Sequence, residues 1–399
     1  LLYPVYRQKR GVRVNDIIHP SIHPYYVSWP DVPAEVPCRI SMLKRALHLF
    51  SSHLSAFLQA PTAEMNTEES VHTLPGGLDL YAKTWKTIGS PVAVLAFIHG
   101  FSDHCNAYHE LFPTLASAGV EVRTFDQRGW GRSVKQTSDR GNTGPTSQVL
   151  SDIHSFLQSL PSRPDLPLFL MGHSMGGGQV LNYIFHAQSP YNREIHNRPN
   201  FTGVLLYSPL IAIDPSSRPS KLTVSAGRVV AKLVPNKQRY SPLDHSLLSR
   251  NEDMVKEVMA DELCHDTGTF EGLAGMLDRG IFLEGMFAAG PEAWVKSELP
   301  FWFGHGDGDR ITSYAAVQDF VEAFTESGGN VKFCTYEGAY HKLHAELPET
   351  TERFLADVKA WILSKVPGTK VVVQHEVESV EGEDTAAHGD AEAEGKAKL

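Results

Sequence analysis

Ser174 stands in the stretch LMGHSMGGGQVL (170–181), where glycines at 172 and 176–178 crowd around a single hydroxyl. A G-x-S-x-G spacing puts the serine on a sharp strand-to-helix turn with unfavourable backbone angles, and Gly172 and Gly176 lack the side chains that would block neighbouring backbone. The apolar run LPLFLM (166–171) before it reads as a buried strand, and QVLNYIFHA (179–187) after it has helical spacing. In that context the Oγ is pushed out of the turn. A serine hydroxyl becomes a nucleophile only when a base takes its proton and a third group holds that base in the right tautomer. HGDGDR (305–310) follows a strand-like run and offers Asp307 and Asp309, while YEGAYHKLH (336–344) follows the last strand-like run and offers His341 and His344. Serine, acid and histidine therefore succeed one another at strand ends. An oxyanion hole needs the amide of the residue after the nucleophile, here Met175, and one from a loop after an earlier strand. HGFSDH (99–104) supplies such a loop, in which Gly100 lets the Phe101 amide face a reacting carbonyl. The chemistry these types can do is acyl transfer through a serine ester.

The elements around them alternate. Strand-like runs fall at 78–85, 91–98, 120–125, 166–171 and 202–208, with helical segments between several of them, and that order predicts a mostly parallel sheet flanked by helices. In SQVLSDIHSFLQSL (147–160) the residues Val149, Ile153, Phe156 and Leu160 make one apolar face. From 214 to 298 the pattern gives helical patches, KLTVSAGRVVAKLV (221–234) and GLAGMLDRGIFLEGMF (272–287), and no strand. Strands resume at 299–304 and 331–336 around SYAAVQDFVEAFTES, and a last helix from Pro348 presents Phe354, Val358, Trp361 and Ile362 on one side. The block 214–298 thus reads as a helical insertion in one α/β domain spanning 65–368. Residues 1–64 read as an irregular extension, with Leu43, Leu47, Phe50, Leu54, Phe57 and Leu58 at helical spacing beside Lys44 and Arg45; this is a surface helix or a membrane-surface anchor. Residues 369–399 read as an acidic disordered tail.

Composition limits the alternatives. A net charge of -10 with no clustered Lys and Arg argues against a nucleic-acid partner. The four cysteines (Cys38, Cys105, Cys264, Cys334) fall short of a disulfide framework and show no metal-ligand pairing, so reduced thiols, a cytoplasmic setting and no metal or other cofactor are expected. No apolar run is long enough to span a bilayer, and residues 1–20 lack a signal-peptide core.

In order and wording, FIHGFSDH, FDQRGWGRS, GHSMGGG, LLYSPL, SPLDHSLLSRN, HGDGDR and YEGAYHKLHAELPE resemble the monoglyceride lipase branch of the α/β-hydrolases, of the serine-aminopeptidase-like type. The likeness covers about residues 72–366. It implies an α/β-hydrolase fold with Ser174 as nucleophile, Asp309 as orienting acid (the family motif being HG-x-x-D) and His341 as base, with Phe101 and Met175 at the oxyanion. It also implies that His344, together with His173, lines the polar end of the site, an ordinary supporting histidine being the other reading of His344. The implied substrate is a monoacylglycerol or related lipid ester. The insertion resembles the family's amphipathic cap, so GMLDRGIFLEGMF (275–287) is expected either to contact lipid, with peripheral attachment to membranes or lipid droplets, or to be buried inward. Phe101 departs from the smaller residue common there. A broader carboxylesterase, a lysophospholipase or an acyltransferase remains open. Epoxide hydrolysis is disfavoured by a serine where an aspartate is wanted, and peptide cleavage by the lipid-type cap. A catalytically dead ligand-binding relative would have an emptied triad position, and all three are filled.

Overall fold

The structure, a computed structural model, describes residues 66–368 apart from 195, 197, 198 and 291–296. The helix expected within 43–58 and the acidic tail lie outside the described residues. Eight strands form one sheet in the order β1 (Thr67–Thr73), β2 (Asp79–Trp85), β4 (Val120–Phe125), β3 (Ala93–Ile98), β5 (Leu168–His173), β6 (Gly203–Tyr207), β9 (Pro300–Gly306), β10 (Asn330–Tyr336). β1 and β2 pair antiparallel at one edge, and every pairing from β4 to β10 is parallel.

Both faces of the central strands are buried, which is why these strands are apolar without a break. The side chains still alternate with period two. Leu95, Phe97, Phe169, Met171, Leu205 and Trp302 enter one core layer. Ala96, Ile98, Leu170, Val204, Leu206 and Phe303 enter the other. The first layer is closed by α1 (Leu111–Ser117) and α8 (Pro348–Ser364), whose Phe354, Val358, Trp361 and Ile362 are buried as expected. The second is closed by α2 (Thr146–Ser159), α3 (Met175–Phe185) and α7 (Tyr314–Glu326). This is the α/β-hydrolase architecture.

Between β6 and β9 the chain leaves the sheet to build α4 (Lys221–Leu233), α5 (Glu252–Ala260) and α6 (Phe270–Ala288). Contrary to the helix-only expectation, it also contains a two-stranded antiparallel ribbon, β7 (Gln238–Tyr240) with β8 (Thr267–Thr269). Three residues per strand are too few to show alternation. Of the segment 275–287, read either as a lipid-contacting face or as one buried inward, only Ile281 among its large apolar side chains is exposed. Leu283 and Met286 are buried, and Met276 and Leu277 face a cavity. A longer exposed apolar stripe is on α4, at Leu222, Val229 and Leu233. Among the described residues no helix is long and apolar enough to cross a membrane.

Candidate active site

Ser174 occupies the turn between β5 and α3 with φ 54° and ψ -121°, a region costly for any residue with a Cβ. The surrounding backbone holds it there. A Cβ at Gly172 would lie 2.6 Å from the Gly176 carbonyl oxygen, and one at Gly176 would lie 2.2 Å from that of Ile98. Glycine at both positions is therefore a packing requirement. Leu210 N–H and Gly178 N–H donate to the Ser174 carbonyl at 2.8 and 3.1 Å, fixing the strained residue from two sides.

Ser174 Oγ lies 2.8 Å from His341 Nε2, and His341 Nδ1 lies 2.8 Å from Asp309 Oδ2. Asp309 Oδ1 accepts from the Ile311 and Thr312 amides at 2.7 and 3.1 Å, and Oδ2 from the Thr312 hydroxyl at 2.8 Å. Burial alone would raise this carboxyl, but His341 and His305 beside it hold it well below the ordinary carboxylate range. An ionised Asp309 accepts from His341 Nδ1–H, which leaves the Nε2 lone pair directed at the serine. Asp307 is exposed and braces the turn by accepting from Gly338 N–H at 2.5 Å, away from His341.

The HGF turn lies directly against the serine: a Cβ at Gly100 would sit 3.3 Å from Ser174 Cβ. Met175 is the first residue of the 11-residue α3, so its free amide and the positive helix end face the same side of the turn. Phe101, Ser174 and Met175 open together into a cavity of about 410 Å³ walled by Leu210, Ile213, Val224, Leu243, Leu247, Phe270, Leu273, Met276 and Leu277. Most of that wall belongs to the insertion. A hydroxyl that opens into an apolar cavity and is hydrogen-bonded to a buried imidazole, itself bonded to a buried carboxylate, is an arrangement suited to nucleophilic acyl transfer on an apolar ester.

The profile of the family described as serine aminopeptidase, S33, matches residues 89–348. Monoglyceride lipase of Rattus norvegicus is 31% identical over 300 residues, covering 73% of this chain and 88% of the relative. The chain belongs to this branch of the α/β-hydrolases. The human monoglyceride lipase is 31% identical over 294 residues, covering 72% of this chain and 87% of its own. The crystal structure of a soluble Saccharomyces cerevisiae monoglyceride lipase variant superposes with a TM-score of 0.67 at 22% identity, covering 77% of this chain and 98% of that one. The monoacylglycerol lipase of Paleococcus ferrophilus gives 0.57 at 25%, covering 72% and 99%.

His173 and His344 are not among the residues lining the cavity, and for His344 this matches the supporting reading rather than the substrate-contacting one. Both are buried behind the triad, in a polar knot within the aromatic core layer. The Tyr108 hydroxyl donates to Asp103 Oδ2 at 2.8 Å and lies 3.1 Å from His173 Nδ1. His344 Nδ1 lies 2.9 Å from the Tyr207 hydroxyl, and its ring stacks on Tyr108. Sequence spacing could not reveal this, because strand β5 turns His173 to the face opposite the serine's outlet. Burial pulls the His173 imidazole down to about 4, with the Asp103 carboxylate offsetting part of the effect, and burial likewise lowers His344. The unfolded chain takes up the His173 proton near 6.5 and the folded chain only near 4, so stability is lost as pH falls through that window. The loss from His173 alone is expected to be about 3 kcal/mol, read as a falling melting temperature between pH 6.5 and 4. A His173→Gln chain should show a flatter profile over the same window.

Sequence reasoning also missed what fixes the histidine loop. Arg250 Nε donates to Glu346 Oε2 at 2.9 Å, and Glu346 Oε1 accepts from the Arg250 and Tyr340 amides at 3.1 and 2.9 Å. Lys342 N–H donates to the Leu248 carbonyl at 2.7 Å, and the Ser249 hydroxyl to that of Ala345 at 2.7 Å. The motifs SPLDHSLLSRN and YEGAYHKLHAELPE are therefore two halves of one clamp around His341. SPLDHSLLSRN holds a single Arg, but YEGAYHKLHAELPE holds three Glu, and nothing in the sequence separates the buried Glu346 from the exposed Glu337 and Glu349.

Proposed function

We propose that this chain hydrolyses the ester of a monoacylglycerol through an acyl-enzyme on Ser174. The observation that carries the proposal is the 2.8 Å Ser174–His341 contact at the floor of an apolar cavity of about 410 Å³, a size within the usual range for small-molecule sites, roughly 300–1,000 Å³. His341 Nε2 accepts the Ser174 proton as Oγ attacks the ester carbonyl. Asp309 holds the imidazole and stabilises its charged form, and the Phe101 and Met175 amides receive the oxyanion. Collapse expels glycerol with the proton from His341. Water then attacks the acyl-enzyme with the same histidine as base, releasing fatty acid and freeing Ser174. The bulk of Phe101 does not bear on this role, since only its amide is used; its ring packs edge-on against Trp130. A hydrolysis panel of mono-, di- and triacylglycerols and lysophospholipids tests the substrate. Preference for a diacylglycerol or a lysophospholipid overturns it in favour of a broader lipid esterase.

We further propose that α4 rests on the lipid surface from which substrate is drawn. Val224, Gly227 and Arg228 face the cavity, while Leu222, Val229 and Leu233 project to water from the same helix. Replacing those three by serine is expected to weaken binding to neutral phospholipid vesicles at least tenfold, since each buried aliphatic side chain contributes about 1.5–3 kcal/mol. Hydrolysis of a soluble short-chain ester should be unchanged. Equal vesicle sedimentation of wild type and triple variant would remove this surface from the account.

A further inference from the structure

A second cavity, about 910 Å³ in volume, lies between the cap helix α6 and the helices α2 and α3 of the hydrolase body. It is separate from the triad. Arg228 and Ala274 line both cavities and form the wall between them. Arg279 of α6 faces this second space from a position only 3% exposed. Its guanidinium carries five N–H donors, and among the described residues it makes one side-chain hydrogen bond, to the Thr146 hydroxyl at 3.3 Å, and no ion pair. The neighbouring Asp278 is taken by Arg228. Burial lowers the Arg279 pKa to about 10, which leaves the group charged at neutral pH. The Asp278 charge offsets part of that effect, but its carboxylate is shared with Arg228 and makes no direct bond to the Arg279 guanidinium; a buried cation so weakly compensated is costly, and a partner arriving from outside would relieve it.

A second unsatisfied group lies beside it. Asn182 of α3 is fully buried and lines the same cavity; its amide nitrogen donates to the Gly178 and Arg279 carbonyls at 2.8 and 3.2 Å, but its Oδ1 has no partner. That orphan is an acceptor, so it calls for a donor on the ligand. Arg193 and Lys232 stand exposed at the rim and outnumber Glu271, the one acid of the lining not already paired. In a chain of net charge -10, this positive concavity is local rather than a general property of the surface.

We propose that this cavity binds a small hydroxylated anion, a phosphate or carboxylate bearing a free hydroxyl, with the anion on Arg279 and the hydroxyl donating to Asn182 Oδ1. A ligand so held bridges the cap helix to α3, the helix that follows Ser174. The site does not depend on which ester Ser174 cleaves, because its test reads binding and not turnover.

Isothermal titration of the full chain with glycerol 3-phosphate, inorganic phosphate and glycerol supplies that test. Glycerol 3-phosphate should bind saturably, phosphate more weakly and glycerol not at all. Arg279→Gln should weaken binding roughly tenfold or more, because charge-assisted hydrogen bonds are the strong ones. Should that variant fail to fold, Gly275→Met tests the same cavity without removing the charge. A Cβ at Gly275 lies 3.4 Å from Arg279 Nη1 and 3.6 Å from Thr146, so a longer side chain fills the space and should abolish binding. An octanoyl lysophosphatidate titrated into Ser174→Ala distinguishes the sources of the ligand. Tighter binding than glycerol 3-phosphate assigns the site to a lipid head group, and equal binding to a free metabolite. No saturable binding of glycerol 3-phosphate up to about 10 mM, or binding indifferent to both variants, overturns the proposal.

Discussion

Alanine at position 174 is expected to lower turnover of monoacylglycerol by about 10⁶-fold while the chain stays folded. The substitution removes a single oxygen whose one side-chain hydrogen bond is to His341 Nε2. It leaves the strained turn intact, because that backbone is held by the Gly178 and Leu210 amides and by the close approach of Gly172 to Gly176. Alanine at 341 should cost about as much, and the double variant no more than either alone, since nucleophile and base act as one unit. The measurement is kcat on purified protein, with circular dichroism and melting temperature alongside to separate chemistry from folding. A fluorophosphonate probe should label the wild type and leave Ser174→Ala unlabelled. Wild-type turnover by a folded Ser174→Ala chain would remove the acyl-enzyme from the mechanism.

The residues that made this expectation possible were legible because each obeys a local rule. The glycine spacing around Ser174 answers a backbone contact that any Cβ would violate. The central strands announce themselves by unbroken apolar runs, because helices cover both faces. Where the local rule fails, so did the reading. β1, TEESVHT, is exposed at six of its seven positions, so it has no apolar alternation to detect. The β7–β8 ribbon is too short to have a period. His173 was misplaced because a motif position gives a residue's place in the chain and not the face to which the strand turns it. The Arg250–Glu346 clamp joins residues 96 apart, and neither has a sequence signature without the other. The apolar segment 275–287 and α4 both mix apolar and charged residues at helical spacing. Only the packing decides which one turns inward, and the cavity claims Met276 and Leu277.

Asparagine at 309 is expected to lower turnover by roughly 10⁴-fold, whereas asparagine at 307 should change it by about twofold at most. The contrast follows from what surrounds each carboxylate. Asp309 Oδ1 accepts two backbone amides, from Ile311 and Thr312. In Asp309→Asn the side-chain oxygen must remain there, because an NH₂ group facing two N–H donors would leave all of them unpaired in a buried site. The NH₂ is then forced into the place of Oδ2, 2.8 Å from His341 Nδ1. It can only donate, so Nδ1 must accept and the ring proton moves to Nε2. That proton now points at Ser174 Oγ, and the base has no lone pair left for the serine's hydrogen. Volume and fold are nearly unchanged, so the defect should appear in kcat with little effect on melting temperature. Asp307 meets none of these conditions: it is exposed, and its one hydrogen bond, from Gly338 N–H, can equally be accepted by an asparagine oxygen. The opposite pattern, an inactive Asp307→Asn beside a nearly normal Asp309→Asn, would mean that the histidine is oriented by a group other than the one it touches in this structure.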